Sequence, residues 1–171
     1  MPTFGYETQG GSYHEGGAGG QFLFGSKFPL AEPGKLISIT AWFDAYYSAY
    51  EYQCAIYDSA LDLIEITERV AKGPPNNEWT VMEMLMNLLS NPVRDAGDYW
   101  LMWKPCQTEK SYVWKDPGDV NQGKHQMASY TDFPASIAEI DLNDNKYSIY
   151  CTYEAVAPPP AFKGSRGYII G

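Results

Sequence analysis

Short runs of alternating hydrophobicity, each closed by a turn signal, constrain this chain more than any other feature. In Lys35 to Phe43, Ile37, Ile39, Ala41 and Phe43 fall on one side of a pleated strand while Ser38, Thr40 and Trp42 fall on the other. Tyr50 to Asp58 repeats the pattern, with Tyr52, Cys54 and Ile56 alternating against Gln53, Ala55 and Tyr57. Turn signals such as Glu32-Pro33-Gly34, Asp95-Ala96-Gly97 and Asp116-Pro117-Gly118-Asp119 separate these runs. Counting on, one obtains about nine short strands spaced roughly 8–12 residues apart, the rhythm of an antiparallel sandwich or barrel. The expected fold class is therefore all-β: an antiparallel β-sandwich, jelly-roll-like, of about nine strands.

Its length of 171 residues suits one core, since a chain of this size buries roughly 70% of its unfolded surface. Residues 1–154 are read as a single sandwich domain, with a glycine-rich stretch at 9–20 too costly in backbone entropy for a regular element. Residues 155–171 read as a proline-rich linker and an apolar tail. Two segments are less decided. Leu61 to Lys72 fits strand or a short helix, and the methionine-rich run from Glu78 to Leu89 is read as strand into loop. The run Tyr99-Trp100-Leu101-Met102-Trp103 is so aromatic that one face must be core and the other a covered or contact surface.

The net charge of −9 argues against a sequence-independent grip on nucleic acid, which needs clustered Lys and Arg. No stretch approaches the ~20 apolar residues of a membrane span, and the first residues lack the basic and apolar regions of a secretory signal, so a cytoplasmically made chain is expected. Cys54, Cys106 and Cys151 have no metal-type spacing and read as buried, unbridged thiols.

Catalytic patterns are not evident. The two histidines, His14 and His125, have no motif around them and read as ordinary surface residues, and no nucleophile–base pair emerges, so an enzyme ranks third among the readings. Asp141, Asn143 and Asn145 form an oxygen-rich cluster with calcium-type ligands, as do Asp116, Asp119 and Asn121. Neither has the central glycine and terminal glutamate of an EF-hand, so both read as plain turns before metal sites, and no cofactor is expected. The aromatics are more informative: Trp42, Trp100, Trp103 and Trp114 are the candidates for a platform that stacks on sugar rings, with core or subunit interface as the alternative.

The segments Ala-Ile-Tyr-Asp (55–58), Asn-Pro-Val-Arg-Asp-Ala-Gly-Asp-Tyr-Trp-Leu (91–101) and Tyr-Ser-Ile-Tyr-Cys-Thr-Tyr (147–153) resemble jelly-roll modules found in phage virion proteins, cell-surface appendages and beside carbohydrate-active domains. The resemblance spans residues 4–154 and rests on strand and turn signatures, with Cys54 and Cys151 standing where a small residue is usual. It implies a fold and a habit of binding, and transfers no catalytic residue. The leading expectation is a structural or adhesive subunit of a phage particle, contacting copies of itself or other particle proteins. The alternative is a non-catalytic carbohydrate-binding module that takes a polysaccharide. Pro158, Pro159 and Pro160 should project the tail, whose Phe162, Tyr168, Ile169 and Ile170 are expected to dock on a sheet edge, preferably a neighbour's.

Overall fold

The computed structural model describes residues 1–16, 22–45, 50–72, 77–85, 92–106, 111–127, 132–138 and 141–157. They form two antiparallel sheets packed face to face, the predicted β-sandwich. Sheet A holds β1 (Thr3–Gly5), β2 (Ser12–Gly16), β4 (Gly34–Ala45), β8 (Glu78–Glu83), β10 (Ser111–Pro117), β13 (Asn145–Tyr147) and β14 (Ile149–Ala155). Sheet B holds β3 (Phe22–Leu30), β5 (Tyr50–Tyr57), β6 (Leu63–Ile66), β7 (Val70–Lys72), β9 (Gly97–Pro105), β11 (Gly123–Met127) and β12 (Leu142–Asn143). The chain changes sheet at most connections, which is the wrapping of a jelly roll.

Fourteen strands replace the expected nine among the described residues, because several runs are interrupted. Lys146 to Glu154 splits at Ser148, whose N–H donates to the Trp114 carbonyl and whose own carbonyl accepts from Trp42 N–H. Leu61 to Lys72 resolves into β6 and β7, separated where the Thr67 hydroxyl binds the Cys54 backbone and Thr67 bridges across to Met84. The glycine-rich stretch corrects the expectation of an irregular 9–20: Ser12–Gly16 is strand, fully paired with Ser111 to Lys115. Gly10 makes that approach feasible, since a Cβ there would lie 2.3 Å from the Lys115 backbone. Residues 17–20 of the stretch lie outside the described residues. At the other end β14 reaches Ala155, and Val156 N–H still donates to the Pro33 carbonyl.

The main core lies between the sheets. Phe43 of sheet A stacks on Tyr52 of sheet B at 4.3 Å and 6°, and Trp103 packs against Phe24, Phe43 and Tyr52. One inward residue differs from expectation. The ladder between β4 and β14 passes from Ser38↔Thr152 to Leu36↔Tyr153, so Ile37 is a bulged extra residue and Leu36 takes the core position. A second cluster forms on the far side of sheet B, where Trp100, Met102, Ala55 and Tyr57 are covered by Phe133 and Ile137. The strap at 132–138 is tied down by Ile137 N–H to Leu61 O, Leu63 N–H to Ala135 O and the Tyr57 hydroxyl to Pro134 O. Strand β9 is therefore buried on both faces, as its composition demands. Cys54 and Cys151 are buried core thiols, Cys106 is partly exposed, and all three are unbridged. No helix of the described residues is long and apolar enough to cross a membrane.

Candidate functional site

The two sheets treat their outer faces differently. Sheet B carries the strap, whereas the outer face of sheet A presents aromatic side chains. Alternation puts them there: Phe43, Val113, Met82, Ile149 and Cys151 point into the core, so Trp42, Tyr112, Trp114, Trp79 and Tyr150 must point out. These five are half-buried against one another, and Tyr13 beside them is 54% exposed.

Two edge-to-face clusters make up this surface. Trp42 and Trp79, directly opposite on β4 and β8, meet at 5.3 Å and 84°, and Trp79 meets Tyr150 at 5.3 Å and 62°. The Trp42 indole N–H donates to Asn77 Oδ1 at 2.8 Å, fixing the ring. Ser38 and Thr40, which alternation puts on the same outer face, are buried as well. In the second cluster Tyr13 meets Tyr112 at 4.8 Å and Trp114 at 5.7 Å. Val81, 53% exposed on edge strand β8, extends the apolar surface.

Of the four tryptophans expected to form a platform, the structure places two elsewhere. Trp103 is 0% exposed in the main core, and Trp100 is 4% exposed under the strap, both because β9 is the central strand of sheet B. Trp42 and Trp114 do share the outer face of sheet A. Sequence reasoning missed Trp79, Tyr150, Tyr112 and Tyr13. The signal for Trp79 was its odd spacing from Met82, which puts the two on opposite faces once the segment is read as strand.

Several members of the oxygen clusters bond within the protein. Asn143 Oδ1 accepts from the Asn145 backbone N–H at 3.1 Å and from Asn145 Nδ2 at 2.6 Å, while Asn145 Oδ1 accepts from Lys115 Nζ at 2.7 Å. Two of the three side chains are thereby committed to protein partners, and Asp141 sits in a left-handed turn with φ of 66°. Asp116 is likewise spent on the Gly11 N–H and the Tyr6 hydroxyl. No group of three His, Cys, Asp or Glu among the described residues is placed to hold a metal. The tail residues Phe162, Tyr168, Ile169 and Ile170 lie outside the described residues.

The histidines are not isolated surface residues. His14 on β2 and His125 on β11 face each other across the open end of the sandwich, ring centroids 6.4 Å apart. His14 Nδ1 lies 2.8 Å from the Tyr147 hydroxyl. Burial, with the charges of Lys115 and His125, holds the His14 imidazole down to about 4 from an ordinary 6.5. In that interval the unfolded chain binds the proton that the folded chain refuses. Stability therefore falls as pH drops from 6.5 toward 4, by about 1–2 kcal/mol after discounting for partial exposure. Thermal midpoints measured across this window should show the fall in wild type and a flatter curve in His14→Gln. An unchanged slope in the variant would refute the assignment.

No protein-family model matches the chain, and no curated protein sequence is significantly similar to it.

Proposed function

We propose that the chain is a structural or adhesive subunit of a large assembly, a phage virion component of the head-decoration, tail or fibre-associated kind. It acts through contact, and the contact is the outer face of sheet A, meeting copies of itself or other particle proteins. The observation that carries this reading is the asymmetry of the sandwich among the described residues: one outer face is roofed by the strap at 132–138, and the other presents clustered, half-buried aromatic rings. Half-buried Trp and Tyr rings with exposed edges are the residues that dominate protein contacts, because they bring large rigid area at small entropic cost.

The second reading is a carbohydrate-binding module on the same face. Sugar rings need flat aromatic faces, whereas here the Trp42–Trp79 pair meets at 84° and Trp79–Tyr150 at 62°, so neighbouring edges cover part of those faces. This geometry favours protein side chains as partners. Affinity electrophoresis through gels cast with soluble polysaccharides separates the two readings. No retardation of wild type is expected, and retardation that disappears in Trp42→Ala or Trp79→Ala would overturn assembly in favour of glycan binding.

A further inference from the structure

The open end of the sandwich holds a feature apart from the aromatic outer face of sheet A. His14, Phe22, Phe24 and His125 line a cavity of about 230 Å³ among the described residues. The four rings arrive from three strands, β2, β3 and β11, and form a cup: Phe22 lies 5.8 Å from Phe24 and 6.2 Å from His125, and His14 lies 6.0 Å from Phe24. Phe24 is in turn stacked on Trp103 at 5.5 Å and 19°, so the floor of the cup is anchored in the main core.

Its chemistry limits what can enter. An apolar cavity of about 150 Å³ already suffices for benzene, so this one has room for a single ring with a substituent. No carboxylate lines it among the described residues, and the positive charge of Lys115 already acts on His14, so a quaternary ammonium is disfavoured despite the aromatic walls. The hydrogen-bond network also sets the proton on His125. Asn143 Oδ1 is taken by Asn145, which leaves Asn143 Nδ2 to donate to His125 Nδ1 at 3.3 Å. Nδ1 is then the acceptor, and Nε2 carries the hydrogen as a donor for an incoming oxygen.

We propose that this cup is a binding site for a small neutral aromatic ring bearing a hydroxyl oxygen, a ligand of the phenol class, with His125 donating to that oxygen. The site is separate from the outer face of sheet A, and its failure would leave the assembly reading untouched.

Proton–carbon correlation spectra of the two histidine rings test it, with phenol, toluene, cyclohexanol and benzyltrimethylammonium as probes. Phenol should shift both rings saturably with millimolar or tighter affinity, toluene should bind at least five-fold more weakly, and the other two should produce no saturable shift. His125→Phe keeps an aromatic wall while deleting the donor, and should lower phenol binding to the level of toluene. No saturable shift with phenol, equal binding of phenol and cyclohexanol, or unchanged phenol binding in His125→Phe would each overturn the proposal. If that variant does not fold, the wild-type comparison of phenol with toluene decides the donor's role.

Discussion

Trp103→Ala should lower stability by about 3–5 kcal/mol, the usual cost of deleting a large buried aromatic. Trp103 is 0% exposed and touches rings from both sheets: Phe24 in β3, Phe43 in β4 and Tyr52 in β5. Its removal leaves a void at the point where the sheets meet, and the flanking strands are too firmly paired to collapse into it. Set against a typical total of about 5–15 kcal/mol, the loss is large, and the thermal midpoint should fall by roughly 10 °C or more. Trp103→Phe should cost much less. The Trp103 indole N–H is buried without a hydrogen-bond partner among the described residues, so phenylalanine retains much of the packing and removes an unsatisfied donor. Denaturation followed by near-ultraviolet circular dichroism checks both variants. A loss below about 1 kcal/mol for the alanine variant would mean that the sheets are not clamped at this residue.

Gly25→Ala should be comparably damaging for a different reason. Gly25 pairs with Met102 on one side and Lys124 on the other, in the middle of sheet B. A Cβ at this position would lie 2.0 Å from the Leu101 carbonyl oxygen and 2.8 Å from Met102 Cα, contacts with backbone that no rotamer change relieves. Strands β3 and β9 must then separate locally. The cost should reach or exceed the upper end of ordinary overpacking, about 3 kcal/mol. Gly11→Ala is the control, because its added Cβ would meet only Asp116 Oδ1 at 3.4 Å. Soluble yield and thermal midpoint should collapse for the first and hold for the second. Equal tolerance of both would show that β3 and β9 are not in the register described.

The fold was legible because strand periodicity survives in single residues. The alternation of Tyr52, Cys54 and Ile56 against Ala55 and Tyr57 correctly divides β5 between the two hydrophobic clusters. The double burial of β9 followed from its aromatic run in the same way. What periodicity could not reveal was long-range pairing. Tyr13 and His14 sit in a glycine-rich stretch whose local preference is irregular, and they become strand only because β10 supplies a partner. The strap is similarly invisible, since Phe133 and Ile137 belong to no periodic segment and earn their burial only against sheet B. That hidden cover removed Trp100 from the candidate surface. It also explains why Lys104 is buried, its ammonium 4.8 Å from the Phe133 ring. The pairing of His14 with His125 needs both sheets in place, and no spacing in the chain announces it.

The claim that the outer face of sheet A is a contact surface is tested most directly by sedimentation velocity, from low-micromolar to near-millimolar protein. Wild type should associate with increasing concentration. The double variant Trp42→Ala/Trp79→Ala should associate at least about thirty-fold more weakly, the effect of losing an interface hot spot of roughly 2 kcal/mol. Its thermal midpoint should fall by only a few degrees, because both rings are half-buried. A wild-type protein that sediments as a monomer throughout would contradict contact between copies of the chain, and a double variant that associates as wild type does would contradict the outer face of sheet A as the contact.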